Sequence, residues 1–335
     1  MIKIGILGMG GMGWFHASRI AQIPTAQLVA IADIRPERLA AERAVQINIA
    51  NSAAPIDLSA LARYDDASRL IAESGVDVID ICLPSFLHAR YAVEALQAGK
   101  HVLCEKPMAL SVAEAEQMLA ASRQAGRKLM IAQCIRFWPE FRFLRDCMQE
   151  AKFGKLISLN LFRISGRPIW SWENWMLDAQ RSGGALYDLH IHDVDFANFL
   201  LGMPAALHAS RRVSEPAGLF DAIHATYEYA GGPQVHIHSG WGQAQIPFHA
   251  GYEAWFEHGF VRLDPSRQPA LAVYEHLTTV EGKPAVYEAG DAYYNEIAYF
   301  LNCVQNDLPL LECPPESARD SLLLLEKELA SIAAL

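Results

Sequence analysis

Three glycines near the N-terminus restrict the fold more than any other feature of this chain. Gly8, Gly10 and Gly13 stand in Gly-x-Gly-x-x-Gly spacing within "GILGMGGMGWFH". An apolar run, "IKIGIL", precedes them and an amphipathic stretch, "GWFHASRIAQI", follows. The order is strand, glycine turn, helix, the context in which this spacing carries meaning. Gly8 permits a tight turn, Gly10 lets the backbone approach a pyrophosphate, and Gly13 lets helix and strand pack closely. The helix-start amides, those of Gly11 and Met12 among them, suit an anion. The next apolar run, "QLVAIAD", ends in Asp33, 25 positions after Gly8. A carboxylate there accepts hydrogen bonds from ribose hydroxyls and repels a 2′-phosphate, which favours NAD over NADP. Arg35 is the residue that could accept that phosphate instead.

The first third of the chain goes on alternating strand and helix. "PERLAAERAVQ" reads as a helix opened by Pro36. "DASRLIAES" is a helix, "VDVIDICLP" a strand, "LHARYAVEALQAG" a helix ending at Gly99, "HVLCE" a strand, "SVAEAEQMLAASRQAG" a helix and "KLMIAQ" a strand. That alternation implies a doubly wound parallel sheet. Later the period changes. "KLISLNLFRIS", "ALHASRRVS", "FDAIHATYEYA", "PQVHIHSGW", "YEAWFEHGFVRLD" and "LAVYEHLTT" read as longer, mainly antiparallel strands, interrupted by one helix over 184–201. Two helices close the chain. The expected fold is α/β. A Rossmann domain over 1–125 is followed by an α+β domain over 126–335, built on a large, mostly antiparallel open sheet. The C-terminal helix is expected to pack back on the first domain.

Composition narrows the function classes. The chain has 335 residues, 52% hydrophobic and 20% charged, enough for two packed cores. A net charge of −10 disfavours nucleic acid and anionic membranes as partners. No apolar run is long enough to span a bilayer. The apolar start breaks into glycines with no cleavage site behind it, so it reads as a strand, and a cytoplasmic location is expected. Six scattered cysteines with no Cys-x-x-Cys pair read as free thiols.

Two further stretches carry chemistry. "VLCEKPMAL" puts Glu105, Lys106 and Pro107 at the carboxyl end of a strand, where open α/β sheets bind ligands. "GGALYDLHIHDVD" holds two histidines and three aspartates. On an α-helix Asp188, His192 and Asp195 share one face, while His190 and Asp193 point away. Zinc needs three or four converging ligands, so even with His236 and His238 in "VHIHSG" no metal is expected. An imidazole with a carboxylate one turn away suits proton transfer. Asp195 reads as structural. Upstream, Trp172 and Trp175, with Arg163 and Arg167 nearby, suit a carbohydrate ligand; packing of the tryptophans on protein is the equal alternative.

Together, the glycine loop with His16, "CLPSFLHARYAVEALQAGKHVLCEKPMA" and "GGALYDLHIHDVD" resemble the glucose–fructose oxidoreductase / inositol dehydrogenase / rhizopine-catabolism (Gfo/Idh/MocA) family over essentially the whole chain. The resemblance implies a nicotinamide-dependent oxidoreductase acting on a secondary alcohol of a sugar, polyol or inositol-like substrate. Lys106 matches the family's catalytic lysine, and Asp188 and His192 match its aspartate and histidine. All three would also touch substrate, with Arg163, Trp172 and Trp175. Pro84, His88, Glu105 and Arg136 fall near the cofactor. A homodimer or homotetramer is implied. His190 departs from the glycine many members carry. The alternatives are an NAD-dependent glycoside hydrolase, which returns the hydride within each turnover, and a noncatalytic NAD- and sugar-binding regulator.

Overall fold

The computed structural model describes residues 1–40, 57–213, 221–243, 246–275 and 282–334. In chain order the main elements begin with β1 (Ile2–Leu7), α1 (Gly11–Ile20), β2 (Ala26–Ala32), β3 (Ala62–Tyr64), α2 (Ala67–Glu73), β4 (Val78–Ile81), α3 (His88–Gln97), β5 (His101–Glu105), α4 (Val112–Ala125) and β6 (Leu129–Ala132). Then follow α5 (Pro139–Gln149), β7 (Leu156–Gly166), α6 (Ala179–Ser182), α7 (Ile191–Leu201), β8 (Ala206–Val213), β9 (Asp221–Glu228) and β10 (Gln234–Gly242). The chain ends with β11 (His249–Phe256), β12 (Gly259–Leu263), β13 (Leu271–Glu275), β14 (Lys283–Pro284), α8 (Ala292–Gln305) and α9 (Pro315–Ala333). Two compact units result: Met1–Cys134 with Asp291–Arg319, and Ile135–Gly290 with Asp320–Leu335.

In the first unit the described strands form one parallel sheet in the order β3-β2-β1-β4-β5-β6. The order of strand addition reverses between β1 and β4, the switch point outside whose carboxyl ends open α/β sheets bind ligands. β4 and β6 are buried along their whole length, as strands covered on both faces must be. Helix ends follow local chemistry. Ser111 caps α4 by accepting from the Glu114 N–H, and Glu114 returns a bond to the Leu110 N–H. β6 pairs with β5, so the parallel sheet runs past the boundary at 125 expected from sequence. α8 also belongs to this unit. Tyr293 meets Phe15 of α1 edge-on at 4.7 Å, and Arg19 reaches Asp291, the α8 cap, at 2.8 and 2.9 Å.

In the second unit the described strands run β14-β13-β12-β11-β7-β10-β9-β8. They are antiparallel except for the β7–β10 pair, which is parallel. "YEAWFEHGFVRLD", expected as one strand, is a hairpin: β11 and β12 pair across Glu257-His258. The inner face of the sheet buries Leu159, Leu161, Ile237 and Tyr252. Phe141 of α5 meets Phe196 and Tyr252 edge-on at 5.0 and 5.4 Å. Each such pair adds about 1 kcal/mol beyond its buried area. The outer face carries an aromatic row, Trp255, Phe260 and Tyr274, with Trp255 51% exposed.

Two helices differ from expectation. The segment opened by Pro36 is a 3-10 turn over Pro36–Leu39, and its continuation lies outside the described residues, as does the end of "LAVYEHLTT". The helix expected over 184–201 is a π-helical turn, Leu186–His190, followed by α7. No described helix is long and apolar enough to cross a membrane.

Candidate active site

The glycine loop leaves β1 with Gly8 at φ +91, a conformation that costs glycine nothing. A Cβ on Gly8 would lie 2.6 Å from the Cys82 carbonyl oxygen, and one on Gly13 would overlap the Gly8 carbonyl. Gly10 is different. Among the described residues its Cβ would meet only the Arg38 guanidinium, at 3.6 Å, which leaves room beside it. Gly10 caps α1 with no side-chain bond, and the first turn, Gly11, Met12 and Gly13, has no acidic residue. Uncapped amides and the positive end of the helix together favour an anion. Asp33, at the exit of β2, accepts from the Met9 N–H at 2.9 Å and from the Arg35 N–H at 2.9 Å. It shapes the loop as well as lending it charge. Arg38 reaches the Met9 carbonyl at 3.4 Å. Arg38 gave no signal in the sequence, because its contact with Met9 spans 29 residues. The residues present therefore fit a dinucleotide.

Around the ends of β4 and β5, buried histidines fix the backbone. His88, 1% exposed, places Nδ1 2.8 Å from the Pro107 carbonyl and Nε2 2.8 Å from the Leu83 carbonyl, next to Pro84. Burial pulls its ring below the usual imidazole range despite those two acceptors. His16 of α1 is fully buried, with Nδ1 3.0 Å from Asp80 and Nε2 3.0 Å from Glu105. Burial opposes charge on that ring, but the Asp80 carboxylate at Nδ1 favours it, and His16 is held well above its ordinary range. Burial likewise raises the Glu105 carboxyl, and His16, aided by Lys106, more than reverses it. Lys106 follows, half-buried, with its N–H 3.1 Å from Glu105 Oε2 and a cis bond to Pro107.

The signs of these shifts define a stability window. The raised His16 value gives stability that is complete below the ordinary imidazole range and lost as pH rises through the folded value. The lowered Glu105 value gives stability present above the ordinary carboxylate range and lost as pH falls through the folded value. The Tm difference between wild type and His16→Phe is therefore expected to be largest in the mildly acidic interval between them and to shrink toward alkaline pH. A difference that is flat with pH would show an uncharged ring. Differential scanning calorimetry across pH reads this.

In the second unit the segment Gly183–Asp195 sorts its polar groups. Gly183 and Gly184 both take positive φ, +76 and +72, and the π-helical turn starts behind them. One residue inserted into helical winding shifts the side chains ahead of it relative to those after, a device frequent at functional sites. His190 is sealed, with Nδ1 3.0 Å from Ser239 and Nε2 3.1 Å from Glu328, which also accepts from the Tyr227 hydroxyl at 2.6 Å. Asp193 takes both arms of the Arg163 guanidinium, at 2.9 and 3.0 Å. Asp195 takes both arms of Arg136, at 2.7 and 2.8 Å, and accepts from the Ser321 hydroxyl at 2.9 Å. Asp188 and His192 are half-buried, and the other three are closed off.

Arg136 and Arg163 thus stand elsewhere than expected. The sequence places each at a ligand surface; in the structure each is buried and gives its two-pronged donor face to an aspartate. Arg163 is an inward-facing residue of β7, so its side chain meets α7. Trp172 and Trp175 are half-buried in a short helical turn with Glu173 and Asn174 in the left-handed region, at φ 49 and 52. Such backbone is costly in residues other than glycine and gathers at ligand-binding loops. The Arg181 guanidinium lies 5.7 Å from the Trp172 ring centre.

Comparison with known proteins matches both halves of this description. Residues 2–133 match the oxidoreductase family with an NAD-binding Rossmann fold, and residues 141–262 match the GFO/IDH/MocA C-terminal domain. The chain belongs to the GFO/IDH/MocA oxidoreductase family. Among GFO/IDH/MocA relatives, the myo-inositol 2-dehydrogenase of Thermotoga maritima is 29% identical over 60% of this chain and 55% of its own length. The chain therefore spans about half the length of such relatives. The inositol 2-dehydrogenase of Rhizobium meliloti is 26% identical over 91% of this chain and 89% of its own. A levoglucosan dehydrogenase, in complex with NADH and levoglucosan, shares the fold with a TM-score of 0.84 at 20% identity, covering 99% of this chain and 97% of that one.

Proposed function

We propose that this chain is an NAD-dependent oxidoreductase that moves a hydride between nicotinamide and a secondary alcohol of a sugar, polyol or inositol-like molecule. The observation that carries this reading is the sorting within Gly183–Asp195: Asp188 and His192 are half-buried while His190, Asp193 and Asp195 are fully buried in ion pairs. The uncapped start of α1 supports the cofactor half of it, and the names of the inositol and levoglucosan dehydrogenases support the substrate class.

The roles follow from the chemistry of alcohol oxidation. The hydroxyl proton must leave as the carbon gives up its hydride. NAD, when bound, supplies the hydride acceptor. The amides of Gly11, Met12 and Gly13 would hold its pyrophosphate and Asp33 its ribose, with the turns at Pro84 and Glu105 the candidates for its nicotinamide end. Lys106 donates to the reacting oxygen and stabilises its developing negative charge. His192 accepts the proton and Asp188 orients the ring or the hydroxyl. Trp172 and Trp175 offer apolar faces to the carbon skeleton of the substrate. Arg136 and Arg163 brace α7. The aromatic row of the large sheet, with Trp255 exposed and Phe260 and Tyr274 half-buried, suits a homodimer or homotetramer.

Steady-state NADH formation with myo-inositol and levoglucosan as substrates tests the reading. Replacing His192 by alanine is expected to lower the rate about 10²-fold and to remove the acidic limb of the pH–rate profile. An unchanged limb would take His192 out of proton transfer. Asp33→Ala is expected to weaken NAD by roughly tenfold or more, the cost of a charge-assisted hydrogen bond, and NADP by less. Titration calorimetry with both nucleotides reads the ratio; an unchanged ratio would assign ribose recognition elsewhere.

A further inference from the structure

We propose that His16 is a positioning residue for Lys106. Its ring, clamped between Asp80 and Glu105, fixes the Glu105 side chain, whose second oxygen accepts the Lys106 backbone N–H. The claim rests on the role given to Lys106 under the proposed function.

The geometry is specific. His16 Nδ1 lies 3.0 and 3.2 Å from the two Asp80 oxygens, and Nε2 lies 3.0 Å from Glu105 Oε1. Nδ1 is hydrogen-bonded to Asp80, while Nε2 lies at ion-pair distance from Glu105 without hydrogen-bond geometry, an attraction that acts only when the ring carries both protons. Two carboxylates buried this close need a positive charge, and the ring supplies it. His16, Asp80 and Cys82 also form the one described trio whose ligand atoms lie within 4.8 Å of one another. Burial and the Asp80 charge push the Cys82 thiol up to about 12, and the second ring nitrogen is engaged by Glu105.

Lys106 is held on both flanks. Ahead of its side chain, the N–H meets Glu105 Oε2 at 3.1 Å. Behind it, the Pro107 carbonyl meets His88 Nδ1 at 2.8 Å. Removing the His16 charge would leave Glu105 to protonate or rotate, and the first anchor would slacken. The ionisable groups facing His16 are Asp80 and Cys82 from β4 and its exit and Glu105 from β5. Glu105 in turn faces Lys106, Cys104, His88 from α3 and Tyr293 from α8. A misplacement of about 1 Å at a reacting group costs up to roughly 100-fold in rate.

The test uses the full chain and has two readouts that need no turnover. Nitrogen-15 NMR of labelled histidines, with His16 assigned by its loss in His16→Gln, is expected to show both ring nitrogens protonated at neutral pH. Asp80→Asn should move that titration to lower pH. Carbon-13 NMR of methylated lysines, with Lys106 assigned by its loss in Lys106→Arg, is expected to show the Lys106 signal shifted in His16→Gln and in Asp80→Asn. Should His16→Gln fail to fold, Asp80→Asn carries both readouts. In the same variants kcat should fall about 10- to 100-fold with Kd for NAD little changed. In Asp80→Asn, the pH at which rate is lost should move with the His16 titration. A neutral His16 ring, or a Lys106 signal unmoved in both variants, would overturn the proposal. If the signal moves but wild type never reduces NAD with either alcohol, the proposed reaction fails and the coupling stands.

Discussion

Lys106→Ala is expected to reduce NADH formation on the order of 10³-fold while NAD binds with nearly unchanged affinity. The two halves of that expectation come from different parts of the fold. In the proposed reading NAD affinity rests on the uncapped start of α1 and on Asp33, neither of which contacts Lys106 through any bond described above. The rate belongs to the oxygen that acquires negative charge as hydride departs. A preorganised cationic donor acts on that charge in the transition state more than on the neutral hydroxyl of the ground state, so its loss appears in kcat. Lys106→Arg keeps a charge but changes its reach and its donor geometry, and should recover only part of the rate. Stopped-flow single turnovers together with NAD titrations separate the two effects. A variant that loses NAD binding and rate in parallel would make Lys106 a cofactor ligand instead.

Asp195→Ala is expected to cost about 3–5 kcal/mol of stability, among the largest losses a single substitution in this chain can cause. Arg136 is 1% exposed and both arms of its guanidinium end on Asp195. Alanine leaves that charge buried without its counter-ion and removes the acceptor of the Ser321 hydroxyl. Asp195→Asn, which keeps a hydrogen-bonding oxygen, should cost less. Replacing both members by apolar residues, Arg136→Met with Asp195→Leu, should recover much of the loss, because the pair itself was dearly desolvated. Urea unfolding measures all three. The margin of a folded domain is only about 5–15 kcal/mol, so the single substitution should also lower soluble yield. A cost below about 1 kcal/mol would mean water reaches Arg136.

What the sequence disclosed depended on whether the controlling partner was local. The glycine loop was legible because its spacing answers local constraints, the turn at Gly8 and the contact of Gly13 with the Gly8 carbonyl, although Gly8 also faces the distant Cys82 carbonyl. The parallel sheet was legible from alternation alone. The π-helical turn was not, since a pattern read at 3.6 residues per turn cannot register one inserted residue. The side-chain roles were hardest where the partner is far along the chain. His190 meets Glu328 and Ser239, His16 meets Asp80 and Glu105, and Arg163 meets Asp193. From sequence, an arginine near tryptophans reads as a ligand contact. Only the register of β7 shows Arg163 facing inward to an aspartate. The histidine that departs from the family pattern, His190, proves to tie the π-helical turn to the sheet and to α9.

The central claim is direct hydride transfer from a carbinol carbon, and isotope tracing tests it most directly. Wild-type protein is incubated with NAD and with myo-inositol or levoglucosan carrying deuterium at every carbinol carbon, and the NADH formed is examined by proton NMR. The account predicts deuterium on one face of nicotinamide C4, a primary isotope effect on the rate, and loss of both products in Lys106→Ala. NADH lacking the label, or bound NAD that neither alcohol ever reduces, would contradict it.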